Sequence, residues 1–201
     1  SLKRHVIIKK LSIRGNNSIK ERFKREAQIL LDLNNPNIVH LFDYFTEGPY
    51  HYIVLEFVDG MSLDKLLKKQ VMLSPQASML IFRDSLRALK FAHDNGVVHR
   101  DIKPGNILIS RHGDIKLADF GIASSEREED DTSLTQSGVT LGTPSYMPPE
   151  QFDDSHSVDK RADIYAMGIM LYEMVTGTKP YAGNFAPETI AKIQKGKYIP
   201  P

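Results

Sequence analysis

The alternation of apolar and polar residues predicts a strand and a helix at the start of the chain. The stretch HVIIKKL, residues 5–11, has the β-branched content of a strand. Ser18, with Glu21 three residues later, is a capping box that precedes apolar residues at helical spacing. These apolar residues are Phe23, Ala27, Leu30 and Leu31. The helix is predicted to end near residues 34–36, which read Asn-Asn-Pro.

Two β-rich stretches follow this helix. They cover residues 37–45 and 50–58, and the turn signal Gly48-Pro49 separates them. Residues 1–58 are therefore predicted to form a small α+β layer.

The pattern becomes mainly helical after Asp59-Gly60. Ser74-Pro75 is typical of a helix start and Asn95-Gly96 of a helix end, with apolar residues at helical spacing between them. The apolar run of residues 164–175 predicts a second, buried helix.

A β-hairpin is predicted between these two helices. Its strands are residues 107–109 and 115–117, and the sequence RHGD lies at the turn. Residues 59–201 are therefore predicted to be a mainly α domain that contains one hairpin.

Composition excludes several classes of protein. The 201 residues are 41% hydrophobic and 25% charged, as in an ordinary globular protein, and the net charge is +1. Because this charge gives no global field, a dedicated nucleic-acid binder is not expected. The absence of cysteine excludes disulfides and thiolate metal sites, and it agrees with a reducing compartment, for which the cytoplasm is the default.

The remaining patterns argue against a membrane segment and a histidine metal site. The longest apolar run, residues 164–175, contains Glu173 and is too short to span a bilayer. The seven histidines are scattered without the paired spacing of metal ligands.

A group of polar residues flanks the predicted hairpin. The sequence HRDIKPGN, residues 99–106, leads into the first strand, and Asp119-Phe120-Gly121 follows the second. The hairpin therefore delivers two oxygen ligands, the amide of Asn106 and the carboxylate of Asp119, to the same end of itself. Oxygen donors of this kind suit Mg²⁺, which binds through one or two carboxylates together with a phosphate.

Two further side chains on the same loop suit phosphoryl transfer. Asp101, beside a metal, could accept a proton from an incoming hydroxyl and aim that hydroxyl at a phosphorus atom. Lys103 is placed to neutralise charge on a moving phosphoryl group. The alternative is that these polar residues only cap a hairpin. That explanation is adequate for any single one of them, but it does not account for the whole set at this spacing.

The first domain supplies a cation and a partner for it. Glu26 lies three residues after Phe23 and four before Leu30, so its carboxylate points toward the buried side of the helix. Lys9, at the end of an apolar strand, is the predicted partner, because charges near a core are tolerated when paired. Lys9 would then reach nucleotide phosphates. The alternative is a surface lysine and a solvated glutamate.

These motifs together resemble those of the eukaryote-like (Hanks-type) serine/threonine protein kinases. The wording GTPSYMPPEQ, together with SLTQSGVTLGT, is especially similar to the bacterial branch. The resemblance spans essentially the whole chain in six ordered motifs. In chain order they are VIIK (residues 6–9), the Glu26 of KREAQIL, HRDIKPGN, DFG, the PPE of GTPSYMPPEQ, and DIYAMG (residues 163–168).

The resemblance implies an α+β, bilobal protein-kinase-like fold. The small β-rich N-lobe would be residues 1–58, and the mainly α C-lobe would be residues 59–201. It also implies ATP-dependent transfer of the γ-phosphoryl group to a serine or threonine hydroxyl of a protein substrate. The expected metal is Mg²⁺, with Mn²⁺ as an alternative.

The resemblance also assigns roles to individual residues. The catalytic set is Asp101, Lys103, Lys9, Glu26, Asn106, Asp119 and Thr143, of which Asn106 and Asp119 hold the metal. The nucleotide-binding set is Ile7, Lys9, Leu55, Glu56, Val58, Leu108 and Asp119. In this set Leu55 is the gatekeeper, residues 56–58 form the hinge, and Ile7 and Leu108 enclose adenine. Leu30, Leu41, His99 and Phe120 would form an apolar column between the lobes.

Regulation by phosphorylation is a further implication of the resemblance. Arg100 would belong to a basic pocket that receives a phosphate from the segment between Gly121 and Pro148. Thr135 and Ser137 are the favoured autophosphorylation sites there, and dimerisation is an expected route to that reaction.

The sequence departs from the family pattern in four places, one of which is Pro148 where alanine is usual. It contains no Gly-x-Gly-x-x-Gly, since it begins at what would be the third strand, and it stops before the last C-lobe helices. An excerpt of a kinase domain is therefore expected. Ile7 stands where alanine is usual, and its bulk would weaken nucleotide binding.

Two other functions fit parts of the pattern. A pseudokinase, acting as a binding module on the same fold, would explain Ile7 and the missing glycine loop, but Lys9, Asp101 and Asp119 are all present. A kinase-like small-molecule phosphotransferase would keep the metal and base residues, but the long segment that ends in GTPSYMPPE favours a peptide-docking surface.

Overall fold

The computed structural model describes residues 4–11, 24, 27–120, 144–152, 159–181, 183 and 186–201. Its strands are β1 (Val6–Leu11), β2 (Leu41–Glu47), β3 (Tyr50–Glu56), β4 (Gly60–Ser62), β5 (Ile107–Ser110) and β6 (Ile115–Leu117). Its helices are α1 (residues 27–32), α2 (Leu63–Gln70), α3 (Pro75–Asp94), α4 (Arg161–Thr176) and α5 (Pro187–Gln194). Short 3-10 turns occur at Pro104–Asn106, Pro144–Tyr146 and Pro149–Phe152.

The strands form two small antiparallel sheets. The first sheet has the order β1-β3-β2, and the second has the order β4-β5-β6. Helices α2 to α5 all lie within residues 59–201, the part of the chain that the sequence predicts to be mainly helical. None of the helices within the described ranges is long and apolar enough to cross a bilayer.

The predicted caps of α3 are confirmed. The Ser74 hydroxyl accepts a hydrogen bond from the Ala77 amide at 3.2 Å, Pro75 occupies the first turn, and the helix ends at Asn95. Gly96 then adopts a positive φ of 75°, which glycine reaches without strain. The predicted buried helix is α4, on which Met167, Met170 and Met174 are fully buried. Ser18 and Glu21, the predicted cap of the first helix, lie outside the described residues.

The prediction that a strand begins at residue 37 is wrong. Residues 37–40 leave α1 and run along β6 of the second sheet before β2 begins at Leu41. The Leu117 amide donates to the Asn37 carbonyl at 2.8 Å, and the Val39 amide donates to the Leu117 carbonyl at 2.9 Å. We call residues 37–40 the strap. It connects the two sheets because Asn37 and Val39 are bonded to Leu117 of the second sheet, while the His40 carbonyl accepts the amide of Glu56 on β3 of the first.

One principal apolar core extends across both sheets. It includes Leu30 of α1, Leu41 and Ile53 of the first sheet, and Ile107 and Leu117 of the second. Helices α2, α3 and α4 add further members, so the parts of the chain that carry polar motifs are attached to a shared interior.

A buried carboxylate on α4 determines the path of the loop before β5. Asp163, in the first turn of α4, is 1% exposed. It accepts hydrogen bonds at 2.8 Å from the backbone amides of His99 and Arg100 and lies 2.8 Å from Nε2 of His93. Its position near a helix N-terminus further favours the negative charge. Arg100 has a φ of 63°, a conformation that costs energy for a non-glycine residue and that these bonds hold in place.

Replacing Asp163 by asparagine should lower the free energy of unfolding by about 1–3 kcal/mol, because an amide of the same size leaves one buried backbone donor without an acceptor. Denaturant unfolding followed by circular dichroism measures the change. Asp159→Asn is the matched control, since the Asp159 side chain is 52% exposed and lies just before the same helix. Equal losses for the two variants would contradict the role of Asp163.

Gly60 is required by the close pairing of β4 and β5. A Cβ atom at this position would lie 1.9 Å from the carbonyl oxygen of Ile109. Gly60→Ala should therefore destabilise the fold by about 3 kcal/mol, since the strands must separate. Gly168→Ala is the control: Gly168 is inside α4 and has open space around it, so alanine should stabilise by up to about 1 kcal/mol. Thermal unfolding of both variants checks the opposite signs.

Candidate active site

The hairpin of β5 and β6 carries Asn106 and Asp119 to one end of the second sheet. The 3-10 turn at Pro104–Asn106 leads into β5, and the Ala118 amide donates to the Asn106 carbonyl at 2.8 Å. Asp119 is the next residue and has a φ of 59°, in the left-handed region that few non-glycine residues adopt and that aspartate tolerates better than most. The predicted convergence of these two residues is therefore present in the backbone.

Asp101 and Lys103 form a small network with Asn106. Lys103 Nζ lies 2.7 Å from Oδ2 of Asp101. Asn106 Nδ2 donates to the Asp101 carbonyl at 2.8 Å and to its carboxylate Oδ2 at 3.1 Å. Asp101 thus has its backbone and its side chain held by neighbours, while its carboxylate stays partly exposed.

The orientation of the Asn106 amide suits a metal ligand. Both hydrogens of Nδ2 are directed at Asp101, so Oδ1 points the other way, and it accepts no hydrogen bond from any residue that the structure describes. A hard amide oxygen beside the carboxylate of Asp119 is a donor set that fits Mg²⁺.

Lys9 of the first sheet contacts Asp119 of the second. Lys9 lies opposite Ile53 in the β1–β3 register, and Ile53 is buried, so Lys9 emerges on the inward face of that sheet. Its ammonium is bonded to Oδ1 of Asp119. Because both side chains are substantially exposed, this ion pair contributes little to stability. Its importance is geometric, since it brings a cation from β1 to the end of the hairpin.

His99 stabilises the loop that carries Asp101. It is fully buried and packs against Phe120 with ring centroids 4.6 Å apart and the ring planes tilted by 49°. Its Nε2 lies 2.9 Å from the Ala118 carbonyl and must donate to it, and its Nδ1 accepts from the Asp101 amide at 3.2 Å. These bonds select the neutral imidazole with the proton on Nε2. Burial lowers the pKa of His99 from its ordinary value of 6.5, which favours the same form.

The residues predicted to bind a nucleotide base lie on both sheets. Ile7 pairs with Leu55 between β1 and β3, and Leu108 lies on β5 of the second sheet. Ile7 is 40% exposed, while Leu55, Leu108 and Val58 are half-buried. The Glu56 carboxylate is bonded to Lys116 Nζ of β6.

Other predicted residues have different outcomes. In the predicted apolar column, Leu30, Leu41 and Phe120 are members of the same buried cluster and His99 contacts Phe120. Glu26, Thr143, Thr135 and Ser137 lie outside the described residues, so the predicted Lys9–Glu26 pair and the activation-segment sites stay predictions.

Sequence reasoning missed two charged residues that hold the site together. The carboxylate of Asp163 was not recognised as the anchor of the His99–Arg100 backbone, although an aspartate at the start of an apolar helix is a usable signal. The role of Lys116 could not be predicted from the sequence, because a lysine between Ile115 and Leu117 fits the ordinary alternation of a half-exposed strand.

The chain is similar to known proteins over most of its length. The family model for the protein kinase domain matches residues 1–199. A probable serine/threonine-protein kinase of Clostridium perfringens is 39% identical over 203 residues, which cover 100% of this chain and 29% of that protein. PknB of Mycobacterium leprae, a serine/threonine-protein kinase, is 42% identical over 174 residues, which cover 85% of this chain and 27% of that protein.

A further relative and a solved structure extend the comparison. PknL of Mycobacterium tuberculosis, also a serine/threonine-protein kinase, is 40% identical over 187 residues, covering 92% of this chain and 46% of that protein. The chain therefore spans less than half the length of each of these relatives. A crystal structure of Rad53 1-466 in complex with AMP-PNP is similar with a TM-score of 0.78 and 29% identity, over 96% of this chain and 47% of that one.

The likeness to Rad53 confirms the predicted bilobal α+β fold. The first sheet and α1 lie within residues 1–58, and the second sheet with α2 to α5 lies within residues 59–201. The division of the chain into two lobes at this point stays a prediction. On the family match and the relatives together, the chain belongs to the protein kinase domain family, with bacterial serine/threonine-protein kinases among its relatives.

Proposed function

We propose that the protein containing this chain transfers the γ-phosphoryl group of ATP to serine or threonine hydroxyls of proteins. The observation that carries the proposal is the meeting of Lys9 with Asp119, next to the network of Asp101, Lys103 and Asn106. A cation, a metal-type oxygen set and a carboxylate base, arranged at one end of a hairpin, are what phosphoryl transfer requires.

Asp101 is the base in this proposal. Its carboxylate would accept the proton of the acceptor hydroxyl and orient the oxygen toward phosphorus. The bonds from Asn106 to its backbone and carboxylate limit its rotation, which favours a single productive direction. Lys103, 2.7 Å from the same carboxylate, would neutralise charge on the phosphoryl group as it moves. Thr143 would complete this set by hydrogen bonding to it.

Asn106 Oδ1 and the Asp119 carboxylate would hold Mg²⁺, with Mn²⁺ as an alternative. When bound, the metal supplies charge neutralisation for the phosphates. Lys9 already reaches Asp119, so its ammonium would lie beside the same phosphates. Glu26 would pair with Lys9 and orient it.

The nucleotide base would lie between the two sheets. Ile7 and Leu108 would enclose adenine, Leu55 would close the back of the site, and the backbone of Glu56 and Val58 would bond to the adenine edge. The larger side chain of Ile7 would reduce the space for the base. The proposed location is the cytoplasm, and autophosphorylation at Thr135 or Ser137, through dimerisation, is the proposed regulation.

Asp101→Asn should lower the rate of phosphate transfer by about 10²- to 10⁴-fold, because asparagine keeps the shape but cannot accept the proton. Transfer of radiolabelled phosphate to a protein acceptor measures the rate. Asp94→Asn, an exposed carboxylate at the end of α3, is the control and should leave it unchanged. An Asp101→Asn enzyme with wild-type turnover would overturn the assignment of the base.

Asp119→Asn should remove the metal-dependent part of nucleotide binding. We expect ATP to raise the melting temperature of the wild type more with Mg²⁺ than without, and we expect this difference to vanish in the variant, since an amide is a weaker metal ligand than a carboxylate. Asp114→Asn, at the other end of the same hairpin, should retain the difference. If Asp119→Asn retained it as well, Asp119 would not be a metal ligand.

A further inference from the structure

Glu56 ends β3, and its side chain is bonded to a residue of the other sheet. Its two carboxylate oxygens lie 2.9 Å and 3.0 Å from Nζ of Lys116 on β6. The same carboxylate accepts the amide of His40 at 3.1 Å, and the Glu56 amide donates to the His40 carbonyl at 2.8 Å. Glu56 is thus bonded through both its backbone and its side chain.

His40 is the last residue of the strap, and the strap is itself bonded to β6. Leu117 donates to the Asn37 carbonyl at 2.8 Å, and the Asn37 side-chain amide donates to the Ile115 carbonyl at 2.9 Å. The bonds therefore form a closed ring that runs from Glu56 to the strap, from the strap to β6, and from Lys116 back to Glu56. A closed ring of this kind fixes the end of β3 relative to the hairpin.

Lys116 is also the direct neighbour of the proposed adenine-binding residue Leu108. The two residues are opposite each other in the β5–β6 register, so their side chains share one face of the hairpin. The Glu56–Lys116 pair therefore joins the start of the hinge to the strand that would form the floor of the base site.

The pair is sheltered from solvent. The side chains of Lys116 and Glu56 are 17% and 22% exposed, whereas those of Arg111 and Asp59, which pair between the same two regions of the chain, are 76% and 61% exposed. Charges in a sheltered site attract more strongly and lose more when one partner is removed than exposed charges do. Only the Glu56–Lys116 pair is therefore expected to hold the end of β3 at a fixed distance from β6.

We propose that Glu56 and Lys116 are positioning residues, which set the separation between the hinge backbone and the Leu108 floor and so determine affinity for the adenine base. This inference rests on the proposed function, because it concerns the same nucleotide site. It predicts that the pair acts on the base and not on the phosphates, which bind at the Lys9 and Asp119 end of the hairpin.

The test compares two probes by isothermal titration calorimetry on the full chain. For Lys116→Met we expect the Kd of adenosine to rise about tenfold, the size of a typical coupling between sites, and the Kd of inorganic triphosphate with Mg²⁺ to stay unchanged. Lys116→Arg should restore adenosine binding, since it keeps the charge. Arg111→Met is the matched control and should leave both constants at wild-type values.

Kinetics provide a second readout. Lys116→Met should raise KM for ATP with little change in kcat, because the pair contributes equally to substrate and transition-state binding. Circular dichroism verifies folding of each variant. Should Lys116→Met fail to fold, Glu56→Gln, which keeps an acceptor for the His40 amide, takes its place with the same expected result.

The outcomes separate the two proposals. Adenosine affinity that is the same in Lys116→Met as in the wild type, or triphosphate affinity that falls equally with it, would overturn the positioning role while leaving the proposed function intact. A wild-type chain that binds neither ATP nor adenosine would overturn the proposed function and this inference together.

Discussion

The loop that carries Asp101 depends on the buried carboxylate of Asp163. A non-glycine residue such as Arg100 does not keep a positive φ unless its surroundings require it, and here the two backbone amides before Asp101 are both bonded to one aspartate. Because the Asp163 carboxylate is buried, it requires hydrogen-bond donors, and the backbone amides of His99 and Arg100 supply them. Helix α4, by way of this one side chain, thus sets the direction in which the polar loop leaves α3.

The β5–β6 hairpin positions several residues of the proposed site relative to one another. Asn106 precedes it, Asp119 follows it, Leu108 lies on one strand, and Lys116 lies opposite. A two-stranded ribbon of this kind is only marginally stable alone. It is held here by β4 on one edge, where Gly60 permits close approach, and by the strap on the other. The strand β4 and the strap, which are not part of the proposed substrate site, therefore stabilise the hairpin that carries the site residues.

The sequence predicted best what depends on neighbouring residues. The ends of α3 follow from Ser74-Pro75 and Asn95-Gly96, which act within one turn of the helix. The strap was predicted as a strand because its apolar pattern is that of a strand, and its true partner, Leu117, lies about eighty positions away. Family resemblance placed Lys9 and Asp119 in one catalytic set, although it did not predict their contact. The Glu56–Lys116 pair was not predicted, since neither charge is unusual in its local pattern.

The attachment of the strap has a mechanical consequence for α1. The chain leaves this helix through a tight turn, in which the Ile38 amide donates to the Asn35 carbonyl at 3.0 Å, and it is bonded to β6 immediately afterwards. The C-terminal end of α1 is therefore a fulcrum fastened to the larger half of the molecule. Any rotation of α1 relative to the second sheet would therefore pivot about this end of the helix.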